Sequence, residues 1–392
     1  MKKYLVRVGF ALTLAALLVF SGLASGQAQV QTRSPIQVAP GYLEGLGAKL
    51  KYARTNKMTP DGKAAVAQQR IRSVPTWSGA FTFQGTVFPF TMVGRDPTKG
   101  GTADMDTSLI PISFFFDEFV DQNGNNIVID INPVIPSFLN SPNFEQASYT
   151  SGFTQFGDAV QRAEFFNIKE EEWHTLIEKP HMLTPVQVEV PVGSSQVFQT
   201  SGGVIFALID FGFFISQLNT IVQLEPLQVD TLAMALTRNA LFYDGNPNNC
   251  CTLGFHTAFE TAVQGNVHSV QTFAQASWLD QGIFRNPTIA DAITISHEIS
   301  EWINDPFVNN LVPPWEFPDN SGCQNDLETG DPVEVLPNPT FPVTIRGVTY
   351  HPQTEALLPW FSRQTPNRLS LGGAFSYPDT TALTSPSKPC TP

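Results

Sequence analysis

The chain has 392 residues and a formal net charge of −13, with 35 acidic against 22 basic side chains. That balance argues against nucleic acid or an anionic lipid surface as a partner, because both are held by basic patches. A low charged fraction with 31 Phe and 31 Pro describes a strand-and-loop protein, long enough for one large domain or two ordinary ones.

Residues 1–28 have the pattern of a secretion signal. Lys2, Lys3 and Arg7 precede an uncharged run over 8–24, and Ala24, Ser25, Gly26 and Ala28 supply the small residues of a cleavage site. The mature chain is then secreted, extracellular or periplasmic. An uncleaved anchor is the competing expectation, although the run falls slightly short of the roughly 20 residues of a spanning helix. No second run of that length follows, so no membrane partner is expected once the signal is removed. Residues 29–73 are polar and without strand pattern, either a propeptide or a leader.

Over 74–185 the texture is β-rich. Phe81, Phe83, Val87, Phe88, Phe90 and Met92 read as strands, as does 109–116. Asp121-Gln122-Asn123-Gly124-Asn125-Asn126 opens like a calcium loop, but Asn126 and Asn132 stand where such a loop needs Gly and a bidentate Glu. Asn-Gly between apolar runs is instead a hairpin signal. The spacing of Phe156, Val160, Ala163, Ile168 and Leu176 predicts a helix over 155–179. His174 and His181 lack a partner at ligand spacing.

Residues 186–190 predict a strand, the stretch 213–222 a helix, and 232–242 a strand. Residues 253–259 and 270–278 predict two strands joined around Gly265-Asn266, directly ahead of a helix over 288–306. Asn286 and Pro287 open this helix and Pro306 closes it. Ile289, Ala292, Ile293, Ser296, Ile299 and Ile303 make one face apolar, and Thr294, His297, Glu298, Glu301 and Asp305 lie opposite. His297 and Glu301, four apart, stack about 6 Å from each other on one stripe. That is the spacing of a chelating pair.

The run His297-Glu298-Ile299-Ser300-Glu301 resembles H-E-x-x-H of the zincin metallopeptidases, with Glu301 in place of the second His. Strands feeding an active-site helix also match the order of a zincin core. With Asp305-Pro306, Pro313-Pro314-Trp315 and Glu328-Thr329-Gly330-Asp331 added, residues 250–331 are similar to a group of exported bacterial proteins of unassigned activity. More distantly, they resemble the secreted plant phosphate-induced, exordium-type proteins.

The resemblance implies an α+β fold: a zincin-like core of antiparallel strands plus active-site helix within 186–392, behind the β-rich region 74–185. It implies Zn²⁺ bound by His297, Glu301 and a third ligand from downstream of the helix. Glu328 is the first candidate, Asp331 the second, and His351, in a strand-like segment farther on, the third. Glu298 is then the general base of a secreted zinc-dependent hydrolase, a metallopeptidase acting on peptide or protein. The alternative class is a non-catalytic secreted or cell-surface binding protein that keeps a structural metal. His256, on the first of the two strands, either faces the cleft and binds a substrate carbonyl or oxyanion, or packs against its neighbours. The four cysteines of an exported chain are expected to form disulfides, with Cys250 and Cys251 reaching separately to Cys323 and Cys390.

Overall fold

The computed structural model describes residues 34–38, 70–168 and 172–391. The expected signal, 1–28, and most of the expected leader, 29–73, lie outside the described residues. Aromatic and small residues at alternate positions build the first hairpin, β1 (Thr76–Phe83) and β2 (Thr86–Val93), paired from Thr76↔Val93 to Phe83↔Thr86. β3 (Thr107–Val120) differs: its first half is buried without alternation, the mark of a strand covered on both faces. The Asp121 carboxylate then accepts the backbone N–H groups of Asn123 (2.8 Å) and Asn125 (2.9 Å), turning the chain into β4 (Asn126–Ile129). The Asn-Gly segment is thus a hairpin turn.

α1 (Phe156–Glu164) stops well short of the helix expected to 179, and a strand, β5 (Trp173–Ile177), takes its place. β5 alternates buried and half-buried side chains and pairs in parallel with residues 101–105. Pairing in the tertiary structure overrides the helical spacing of Leu176. His174 on this strand meets the Asp158 carboxylate at 2.7 Å, and His181 is exposed.

β6 (Val186–Val190), β7 (Ser195–Gln199) and β8 (Ile205–Asp210) lead into α2 (Phe211–Leu224), whose first turn is capped by Asp210 accepting from Phe213 N–H at 2.8 Å. The stretch 232–242, expected as one strand, divides into β9 (Leu232–Arg238) and β10 (Ala240–Tyr243). Asn239 between them takes φ 49°, a left-handed conformation that Asn tolerates, and the chain passes there from one sheet to the other. β11 (Cys250–Thr252) follows, then the expected hairpin of β12 (Gly254–Gln264) and β13 (Val267–Trp278).

The helix with the His–Glu pair is α3 (Ile293–Asn304), shorter at its start than the expected 288–306. Asn286 Oδ1 instead accepts the Thr288 N–H (3.1 Å) and hydroxyl (2.9 Å) in a local turn. Asp291 takes φ 46° before the helix begins. β14 (Leu311–Glu316) and β15 (Cys323–Asp326) form a second hairpin beyond it.

In the principal sheet β3, β9, β13 and β12 lie side by side in that order, with β6 also on β3. The β3–β9, β9–β13 and β3–β6 pairs are parallel, and β12–β13 is antiparallel. The fold is mixed α/β and strand-rich, so an antiparallel core describes only the β12–β13 hairpin among these four strands. Segments 74–185 and 186–392 both supply strands to this sheet, within one compact unit, Arg33–Pro392.

Strand alternation places the helices. Leu232, Met234 and Leu236 of β9 pack with Ile295, Ile299 and Trp302 of α3, whereas Ala233 and Ala235 pack with Phe211, Phe214 and Leu218 of α2. Helices therefore cover both faces of the sheet. Every residue of α3 is buried, including the side expected to be its polar face. An all-round buried helix carrying His and Glu must satisfy those groups internally.

The disulfides join Cys250 to Cys251 and Cys323 to Cys390, correcting the expected cross-pairing. Cys250 and Cys251 are buried with Leu253, Leu279 and Ile283, whereas the hairpin carrying Cys323 packs in the cluster around Trp315. Two separate cores keep the pairs apart. The Cys323–Cys390 bridge spans 67 residues and 6.0 Å between Cα atoms, so the C-terminal tail is tied beside the loop over 327–331.

Candidate metal centre

α3 sets His297 Nε2 3.1 Å from Glu301 Oε1, the one-turn pair read from the sequence. A further carboxylate approaches from α4 (Asp331–Glu334), whose first residue brings Asp331 Oδ1 to 3.8 Å from His297 Nε2. The Gln324 side-chain amide donates to the other Asp331 oxygen, which holds the carboxylate in that orientation. Several backbone bonds position the loop ahead of α4. Leu327 N–H donates to the Asn310 carbonyl at 3.0 Å, and Gly330 N–H donates to Glu301 Oε1 at 3.1 Å. The Gln353 side chain donates to the Gly330 carbonyl at 2.7 Å, and its N–H donates to Ser296 Oγ at 2.8 Å. Just beyond, β16 (Glu355–Ala356) leaves Glu355 fully buried.

Gly330 is required here by contact. A Cβ at this position would stand 2.2 Å from His297 Nδ1 and 2.5 Å from Cε1, so the loop backbone lies directly on the imidazole. Gly254 does the same for Glu298: a Cβ there would lie 2.5 Å from Glu298 Oε1. Two glycines thus make room for two adjacent side chains of α3.

The register of β12 adds a second histidine. His256 stands opposite Ala274, so both side chains project from the same face of the sheet. Ala274 lies in the cluster under α3, and His256 accordingly points at the helix. Its Nδ1 is 3.4 Å from Glu301 Oε2 and 3.8 Å from Glu298 Oε2, and its Nε2 is 3.8 Å from Glu328 Oε2. The Asp305 carbonyl lies 3.2 Å from Nε2. A carbonyl only accepts, so Nε2 carries the proton of that bond. Asp305 ends α3, and its carboxylate accepts the N–H groups of Asn309 (2.9 Å) and Asn310 (3.1 Å). This fixes the turn that presents its carbonyl.

Two histidines and six carboxylates meet in this region, none more than 6% exposed. Even with both rings protonated the carboxylates outnumber them, and an uncompensated buried ion costs several kcal/mol. The groups respond to one another. Burial pushes the Glu298 carboxyl up to about 7, with His256 and His297 opposing the rise. Burial likewise raises Asp305 to about 7 against the two N–H groups it accepts. Burial, reinforced by Glu301, holds Glu328 well above the usual carboxyl range, and burial raises Glu355 well above it despite His297. Burial also works against ionising Glu301, but His297 and His256 on either side hold its carboxyl well below that range. Both rings lie well above the usual histidine value: burial opposes their charge, and the carboxylates, Glu328 first for His256 and Glu301 first for His297, outweigh it.

The donors fit a divalent cation. One ligand atom from each of His297, Glu298 and Glu301 falls within 4.8 Å of the other two, and the same holds for His256, Glu301 and Glu328. Glu298 Oε1, Glu328 Oε2 and both oxygens of Glu355 meet no hydrogen-bond partner among the described residues. Buried carboxylate oxygens without donors are what a cation satisfies, and imidazole with carboxylate is a zinc donor set.

The sequence candidates divide accordingly. Asp331, ranked second, faces His297; Glu328, ranked first, turns to His256 and Glu301. His351 joins neither group: its Nδ1 is 2.7 Å from Asp291 Oδ2 and its N–H donates to Asp291 Oδ1 at 2.7 Å. His256, weighed as an oxyanion binder or a packed strand residue, belongs to the cluster itself. No protein-family model, no curated protein and no solved structure matches this chain.

Proposed function

We propose that the chain is an exported zinc-dependent hydrolase of the metallopeptidase type, acting on peptide or protein. The observation that carries this reading is the meeting of one ligand atom each from His297, Glu298 and Glu301 within 4.8 Å, with Asp331 Oδ1 3.8 Å from His297 Nε2 and one Glu298 oxygen without a hydrogen-bond partner among the described residues. His297 and Glu301 would hold the ion with Asp331, whose Oδ1 is 3.8 Å from His297 Nε2. When bound, Zn²⁺ supplies Lewis acidity toward a scissile carbonyl and toward water. Glu298 takes a proton as water adds to the carbonyl carbon, then returns it to the amine as the C–N bond breaks. Gly330 N–H on Glu301, and the Gln324 amide on Asp331, orient those two carboxylates.

A structural cation is the second reading, and the burial of every group in the cluster favours it. Incubation with an unfolded protein substrate separates the two. The enzyme reading expects new N-termini to accumulate, to stop on chelation and to resume on adding zinc. A zinc-loaded chain that releases none from a broad panel of unfolded proteins would leave the structural reading in its place.

A further inference from the structure

We infer that the cluster holds a second divalent cation, bound by His256, Glu301 and Glu328, with the Glu301 carboxylate bridging it to the first. The inference rests on the reading of His297 and Glu301 as ligands of that first ion. Its starting point is the disposition of Glu301, whose Oε1 faces His297 Nε2 at 3.1 Å and whose Oε2 faces His256 Nδ1 at 3.4 Å. Each oxygen of one carboxylate thus addresses a different imidazole, as in a carboxylate shared between two ions.

The second set of donors is complete without borrowing another ligand from the first. A ligand atom of His256, one of Glu301 and one of Glu328 lie within 4.8 Å of each other. Glu328 Oε2 meets no hydrogen-bond donor among the described residues, in a residue only 4% exposed. The Asp305 carbonyl holds the far nitrogen of His256 at 3.2 Å, the arrangement that fixes a ligating imidazole in one tautomer.

One imidazole and two carboxylates per ion is a harder donor set than the His-rich sites of mononuclear zinc enzymes, so Mn²⁺ and Co²⁺ are accepted along with Zn²⁺. Carboxylate-bridged pairs of this kind sit about 3.5–4 Å apart and clamp a reacting oxygen between them.

Manganese gives a count and a spectrum that do not depend on activity. The exported chain, stripped with chelator, is titrated with Mn²⁺, the bound ion is counted and low-temperature electron paramagnetic resonance is recorded. Wild type is expected to bind two equivalents with an exchange-coupled spectrum. Glu328→Gln, which keeps shape, and His256→Ala are each expected to bind one, with the spectrum of an isolated ion and an unchanged near-ultraviolet circular dichroism. A wild type that saturates at one equivalent, with Glu328→Gln indistinguishable from it, overturns the second site and leaves the first standing. A wild type that binds none overturns both.

Discussion

Glu298→Gln is expected to lower hydrolysis of a protein substrate by about 10²–10⁴-fold, the usual worth of a positioned general base, while metal content and melting temperature stay nearly unchanged. Glu298 follows His297 by one residue, about 100° round the helix, so it reaches the same space without stacking on the His297–Glu301 stripe. Its Oε1 lies against Gly254, where a Cβ would come within 2.5 Å, and meets no donor among the described residues. The amide fits the same space and cannot take the proton. Glu301→Gln serves as the contrast, since removing a ligand lowers occupancy and rate together. The pair of variants, compared by initial rates and bound metal, assigns the two carboxylates their roles. Equal rates for wild type and Glu298→Gln would remove Glu298 from the chemistry.

Gly330→Ala is expected to cost the site its metal through sterics alone. The backbone at Gly330 has φ −80° and ψ −37°, ordinary for alanine, so no backbone strain enters. The added Cβ would stand 2.2 Å from His297 Nδ1, 2.5 Å from Cε1 and 2.6 Å from Cγ. The ring is fully buried and cannot step aside into solvent. Overpacking of this sort costs about 1–3 kcal/mol, and a ring displaced from Glu301 and Asp331 binds metal about 10–100-fold more weakly, as when an orienting partner is lost. Competition with a chromogenic chelator, together with calorimetry, measures both effects. Full affinity with wild-type stability would mean that the loop moves freely, and that His297 is not held as described.

What the sequence made legible was local. His297 and Glu301 are separated by one helical turn, so their pairing follows from α3 alone, and the β12–β13 hairpin follows from its turn residues. His256 reaches the same cluster across more than thirty residues of chain, through the register that sets it opposite Ala274. A single strand histidine carries no periodic signal of that. Its one cue was Gly254 two residues earlier, whose missing side chain admits Glu298. Glu355 lies on a two-residue strand opposite Tyr377, too short for any pattern. The parallel pairing of β3, β9 and β13 also depended on which segments meet, although the unbroken apolar run in β3 was a cue to a strand covered on both faces. The approach of Asp331 to His297 and of Glu328 to His256 turned on the direction of one short loop. Gln324 and Gln353, which set that direction, sit outside the motif.

The most direct test of a cation centre in this cluster is elemental analysis of the chain, purified without chelator and passed through gel filtration. At least one equivalent of divalent metal per chain, zinc above all, is expected to remain with wild type and to be absent from His297→Ala. Removing it should lower the melting temperature, since an ion that binds only the folded state stabilises it by about 4 kcal/mol at a thousandfold excess over Kd. A chain that carries no metal and keeps its full stability in chelator would contradict the centre altogether.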